Sequence, residues 1–195
     1  MIADILQAIS LFVLNIIETW GYWGVFFLMA LESANIPIPS EIIMPFSGFL
    51  VSTGVFDFWT VVFLGALGNL TGSLTSYYIA GYFKGWVEHN RHFDQAKAWV
   101  NKYGVVAAFW SRMMPIVRTF ISFPAGLFKV PIWKFSLFTF IGSFIWSALL
   151  VYPGIYWGEN WEIIEPIFRK FDLVIAVLLI LGIVWGLKSH FGKKK

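Results

Sequence analysis

Two stretches of the chain run uncharged for the length of a membrane crossing. Phe58 to Phe83 lies between Asp57 and Lys84, and Phe135 to Gly158 lies between Lys134 and Glu159. A helix rises about 1.5 Å per residue, so each run reaches across a hydrocarbon layer of about 30 Å, and the pattern predicts spans over 58–83 and 135–158. A shorter apolar run, Leu173 to Leu187, has Asp172 and Lys188 placed to reach the two interfaces, which predicts a last span over 171–188. The pairs Gly68/Gly72, Gly154/Gly158 and Gly182/Gly186 offer small faces for close helix packing.

Two other apolar regions are interrupted. Residues 22–56 contain Glu32, Pro37 and Pro39 of "NIPIPSE", Glu41, Pro45, Gly48 and Gly54; residues 104–128 contain Arg112, Pro115, Arg118, Pro124 and Gly126. Proline removes a backbone donor and restricts the residue before it, so each region predicts two short helical pieces joined by a turn. Broken backbone at membrane depth is tolerated where protein or a watery cavity surrounds it, which makes both regions re-entrant hairpins on this reading. Residues 1–20 fit either a short span or an interfacial helix. They carry Asp4 and Glu18, no Lys or Arg and no small-residue cleavage site, so no cleaved signal peptide is expected.

Residues 84–103 are the most polar part of the chain. Phe93, Ala96, Val100 and Tyr103 recur at helical spacing, predicting an amphipathic helix on the membrane surface. Its Lys and Arg residues, with Lys188 and the basic tail 189–195, put this segment and the C-terminus on the cytoplasmic side. His89 and His92 have no third ligand nearby in sequence and read as surface residues, so no metal site is expected.

Composition agrees with the pattern. Of 195 residues, 58% are hydrophobic and 13% charged, which marks an all-α polytopic membrane protein forming a single membrane domain over 1–195. There is no cysteine, which excludes disulfides, thiolate metal sites and Cys nucleophiles. The net charge of +3 comes largely from one loop and the ends, so it reports orientation and lipid headgroups and not nucleic acid. No cofactor is implied, and a homo-oligomer is left open.

The two halves resemble one another. Gly24 precedes Glu32 as Gly104 precedes Arg112, both pairs being 80 positions apart; Trp59, Gly68 and Tyr78 match Trp133, Gly142 and Tyr152 at an offset of 74. Repeat one then covers 22–83 and repeat two 104–158, each a hairpin followed by a span. With residues 84–103 inside, the hairpins enter from opposite sides, an inverted repeat whose site lies at the repeat interface near the midplane. The first repeat carries two acids, Glu32 and Glu41, and the second two bases, Arg112 and Arg118. At roughly 2.5–3.5 kcal/mol each, four charges at membrane depth cost on the order of 10 kcal/mol unless pairing, water or a ligand offsets them.

"ESANIPIPSEIIMPFSG" and "FWSRMMPIVRTFISFPAG" resemble the paired signatures of the DedA family, over roughly residues 20–158. In the second acid, Glu41, the chain differs from members that carry an aspartate at another local spacing. The resemblance implies two opposed re-entrant hairpins in the bacterial cytoplasmic membrane and proton-linked transport of lipids. Members are associated with undecaprenyl phosphate, others with phosphatidylethanolamine. It also carries the functional roles onto Glu32, Glu41, Arg112 and Arg118.

Each of these residues has a structural and a functional reading. The arginines either tie a hairpin together or clamp a phosphate, whose oxygens match the planar guanidinium fork; the clamp is preferred because intramembrane charges are usually functional. The glutamates either neutralise the arginines or carry the coupling proton, and the two roles are compatible. Asn69 reads first as an interhelical hydrogen-bonding residue and second as a substrate contact. Gly48, Gly54 and Gly126 are candidate hinges. The expected activity is a non-enzymatic flippase for a phosphate-bearing lipid, undecaprenyl phosphate before phosphatidylethanolamine. A lipid phosphatase ranks lower because no histidine lies near either arginine, and a non-transporting scaffold is the remaining rival.

Overall fold

The computed structural model describes residues 2–36, 38–82, 109, 110, 112 and 117–156. The segment 84–103, the last span 171–188, the tail 189–195, and Pro37 and Pro115 lie outside the described residues. Among the described residues seven helices are defined: α1 (Ile2–Trp20), α2 (Tyr22–Ser33), α3 (Ser40–Ser52), α4 (Phe58–Tyr82), α5 (Val117–Phe120), α6 (Ser122–Leu127) and α7 (Ile132–Tyr156). No strand occurs among the described residues.

Helices α4 and α7 are long and apolar enough to cross a membrane. Helix α4 matches the expected run, whereas α7 starts at Ile132, before the charge-free stretch. The Pro131 carbonyl accepts from the Phe135 N–H at 3.0 Å, so the helix begins at the proline and takes Lys134 into its first turn. A charge-free run marks where hydrocarbon begins, not where helical hydrogen bonding does.

The first interrupted region is two helices and a turn, as expected. Helix α2 ends with Asn35 at φ 69°, and the N–H groups of Asn35 and Ile36 return to the carbonyls of Glu32 and Leu31, both at 3.1 Å. This left-handed closure satisfies carbonyls at the helix end and turns the chain sharply, which brings Ser40 and Glu41 back toward Glu32. Pro39 stands at the N-cap of α3, whose interior accommodates Pro45. Helix α3 closes in the same way at Gly54, and α6, which contains Pro124, at Lys129.

Helix α2 lies along α4 and α3 along α7, while α6 reaches across to α4. Glycines make these approaches possible. A Cβ on Gly72 or Gly68 would lie 2.0 Å from the Ala30 oxygen or 2.2 Å from the Phe26 oxygen. On Gly48 it would meet the Val151 oxygen at 2.2 Å, and on Gly126 the Tyr77 oxygen at 2.0 Å; Tyr77 and Val151 are 74 positions apart. The expected small faces at Gly68, Gly72 and Gly154 are thus contact points. Gly48 and Gly126 are also contact points and not hinges: a joint needs room, and each is pressed against backbone. Only Gly54 among the three combines a positive φ, 77°, with open surroundings.

The core between α1, α2, α3 and α4 contains Val13, Ile17, Val25, Leu28, Met29, Ile43 and Val61, all 1% exposed or less. Trp59, Trp133, Leu149 and Tyr152 face outward, as a lipid solvent allows.

Asp57 caps α4. Its Oδ2 accepts from the backbone N–H and the hydroxyl of Thr60, both at 2.8 Å, and these bonds hold its carboxyl below the ordinary aspartate value of 3.8. Folding therefore favours the charged form. The contribution is present above that ordinary value and is lost as pH falls through the lower folded value. Asp57→Ala is expected to lower the thermal midpoint in detergent at neutral pH, with the deficit shrinking in acid; a deficit that does not change with pH would assign the effect to something other than the ionised cap.

A buried network of two guanidinium and two carboxylate groups

The end of α2, the start of α3, the middles of α4 and α7, Arg112 and the α5–α6 segment converge on one polar cluster. Arg112 and Arg118 are 0% and 2% exposed, and Glu32 and Glu41 4% and 9%, so all four charges sit inside the protein. Arg118 Nη2 pairs with Glu32 Oε1 at 2.6 Å and Glu41 Oε1 at 3.2 Å, and also donates to Ser40 Oγ. The two hydrogens of one nitrogen thus serve three acceptors, while Arg118 Nη1 and Nε find no acceptor among the described residues. The guanidinium lies over the indole of Trp146, 5.1 Å from the ring centroid, an arrangement in which the aromatic face attracts the cation.

Arg112 is held differently. Its Nη1 donates to Asn69 Oδ1 at 3.0 Å, and its Nη2 to Ser122 Oγ at 3.2 Å and Thr139 Oγ1 at 3.4 Å. All three acceptors are uncharged. Its position follows from Gly142, where a Cβ would sit 2.9 Å from the Arg112 Cβ. Its Nε also lacks an acceptor among the described residues.

Asn69 joins the halves. Its Oδ1 accepts from Arg112 and, at 2.7 Å, from Ser143 Oγ, while its Nδ2 donates to Glu32 Oε2 at 3.5 Å. Asn69 and Ser143 are themselves 74 positions apart. The interhelical reading of Asn69 is therefore the one the geometry supports. Asn69→Leu strips acceptors from a buried guanidinium and a buried hydroxyl, a loss of about 1–3 kcal/mol. The expected result is a clear drop in the denaturation midpoint; an unchanged midpoint would mean these bonds contribute nothing net.

The five side chains singled out from the sequence, Glu32, Glu41, Asn69, Arg112 and Arg118, thus occur in one network. Pro39 and Pro124 shape its frame from α3 and α6. Sequence reading missed Ser40, Ser122, Thr139, Ser143 and Trp146. A signal for part of this set was present: Thr139, Ser143 and Ser147 recur at helical spacing in the otherwise apolar α7, and all three are buried. Trp146, on the same helix, lies against Arg118.

Apolar helices closed around such a network define a helical membrane protein with a charged interior site. The chain belongs to the VTT-domain family, the DedA family of the resemblance above: the VTT domain model matches residues 38–156. Undecaprenyl phosphate transporter A of Bacillus subtilis is 32% identical over 180 residues, covering 86% of this chain and 89% of that one. The protein of the same name in Staphylococcus aureus is 25% identical over 192 residues, 92% and 95% of the two chains. A Lactococcus lactis protein named alkaline phosphatase-like is 30% identical over 200 residues, 93% and 94%. No solved structure matches the chain.

Proposed function

We propose that this chain carries a phosphate-bearing lipid, undecaprenyl phosphate before any other, across the bacterial cytoplasmic membrane without chemical change to the lipid. Arg112 and Arg118 hold the phosphate, and Glu32 and Glu41 exchange the coupling proton. The observation that carries this reading is the hydrogen bonding of Arg118: both carboxylates crowd onto Nη2, while Nη1 and Nε have no acceptor among the described residues. A guanidinium so arranged can trade carboxylate oxygens for phosphate oxygens without moving its own plane.

Charge balance supplies the coupling. Two cations offset two carboxylates in the network, so an added phosphate leaves buried negative charge unless a glutamate displaced from Arg118 takes a proton. When the phosphate leaves, the glutamate returns to Arg118 and releases the proton. The names of the Bacillus and Staphylococcus relatives favour the undecaprenyl lipid. Phosphatidylethanolamine is the second candidate, and hydrolysis is tested by measuring phosphate release.

The frame in this proposal is an inverted repeat, 22–83 and 104–158, with re-entrant hairpins 22–56 and 104–128 and the segment 84–103 and tail on the cytoplasmic side. Paired contacts support it. Gly48 meets Val151 as Gly126 meets Tyr77, and Asn69 meets Ser143; Tyr77/Val151 and Asn69/Ser143 are separated by the offset of 74 seen in the sequence, and Gly48/Gly126 by 78. Each hairpin's second arm thus packs on the span of the other half.

A binding measurement tests the clamp. Farnesyl phosphate is expected to raise the thermal midpoint of the detergent-solubilised protein, while farnesol, lacking the anion, has little effect. The Arg112→Gln/Arg118→Gln variant should lose the difference between the two. Equal shifts from phosphate and alcohol, or an intact difference in the variant, would contradict the clamp.

A further inference from the structure

Trp146 is left over by this account. Its indole lies beneath the Arg118 guanidinium, yet its Nε1 is buried and has no hydrogen-bond partner among the described residues. A cation–π contact uses the ring face and makes no demand on the N–H. A buried donor without an acceptor is costly, and native proteins seldom keep one that nothing uses. The unclaimed Arg118 Nε and Nη1 belong to the cation stacked on that same ring. Three unclaimed donors therefore lie together on two side chains, one from the α5–α6 segment and one from α7.

We propose that Trp146 is a specificity-determining residue of the phosphate site, its indole N–H completing with Arg118 a donor set matched to a phosphomonoester. A monoester presents three unesterified oxygens and a phosphodiester only two. Arg118 can bind two oxygens through its planar fork once a glutamate has withdrawn; the indole N–H donates to the third, and the same oxygens have lone pairs to spare for Arg112. A diester fills that direction with a second ester carbon, which neither accepts a hydrogen bond nor tolerates a desolvated donor beside it. The ring and the N–H thus have separate tasks: the face holds the guanidinium in position, and the N–H distinguishes the headgroup. This inference rests on the phosphate-clamp reading of Arg118.

The test compares farnesyl phosphate with its methyl ester, a diester of the same chain, by titration calorimetry on the detergent-solubilised full chain. The native protein is expected to prefer the monoester by about tenfold, the size of one hydrogen bond to a charged acceptor. Trp146→Phe keeps an aromatic face and loses the N–H. It should weaken the monoester about tenfold, leave the diester nearly unchanged, and so erase the preference. Trp146→Leu removes the face as well and should weaken both ligands. If Trp146→Phe folds poorly, 3-benzothienylalanine at this position keeps the bicyclic shape with sulfur in place of N–H, and the same result is expected. An undiminished monoester preference in either aromatic variant overturns the proposal. Arg118→Gln separates the two levels: if it binds farnesyl phosphate as well as the native chain, the clamp itself fails, and the role of Trp146 fails with it.

Discussion

Arg118→Ala is expected to reduce lipid transfer to background and to destabilise the protein by about 3–5 kcal/mol, the usual cost of removing one partner from a buried ion pair. The reason is local. Glu32 Oε1 and Glu41 Oε1 both rely on Arg118 Nη2, at 2.6 and 3.2 Å, and among the described residues Arg112 is linked to Glu32 through Asn69. Loss of transfer by a protein that has also lost stability is ambiguous, so a second variant separates the effects. Arg118→Met/Glu32→Gln/Glu41→Gln removes Arg118 together with both of its carboxylate partners and leaves Arg112 on its neutral acceptors; replacing a complete buried ion pair or triad by neutral groups is often close to neutral for stability. This triple variant should recover most of the unfolding midpoint and still move no lipid. Recovery of both folding and transfer would make Arg118 and its two carboxylates dispensable to the mechanism; failure to recover folding would mean these three groups specify the packing around them.

The second large effect concerns backbone packing. Gly154→Val is expected to cost more than about 3 kcal/mol, because the first added carbon would sit 2.0 Å from the Pro45 oxygen and 2.9 Å from its Cα. Neither atom belongs to a flexible side chain, so α3 must move away from α7 as a whole. The motion would carry Ser40 and Glu41 away from Arg118, so transfer should fall along with stability. Gly81→Ala is the control: it lies in the same class of apolar helix, nothing approaches within 4 Å, and the change should be neutral or stabilising by up to about 1 kcal/mol. A mild effect at Gly154, similar to that at Gly81, would show that the α3–α7 contact yields easily.

The sequence made some of this legible for simple reasons. Spans without charge are visible because hydrocarbon excludes charge all along their length, and α4 came out as expected. Helix α7 came out with a different start because Pro131, not Lys134, sets its first hydrogen bond. The break between α2 and α3 was visible because proline, here Pro39 at the N-cap of α3, does not continue a helix. The four charges stood out for the same reason: they are expensive where they are. What pairs with them was not legible, because partners such as Ser40, Ser122 and Thr139 are common residues whose importance comes from tertiary distance alone. Gly48 and Gly126 illustrate the limit from the other side. Glycine is suited both to a hinge and to a close approach, and only the carbonyls of Val151 and Tyr77 decide between the two.

The network also explains how a chain of this size keeps four charges inside. Arg118 is neutralised by carboxylates from the turn side, Arg112 is solvated by an amide and two hydroxyls, and Asn69 links them.

Movement of labelled undecaprenyl phosphate in proteoliposomes tests the central claim most directly, with native protein and a folded Arg112→Gln/Arg118→Gln variant compared in the presence and absence of a proton gradient. The account predicts gradient-sensitive transfer by the native chain, none above background by the variant, and no inorganic phosphate released. Transfer that persists in the folded variant, or native protein that moves no lipid and instead releases phosphate, would contradict it.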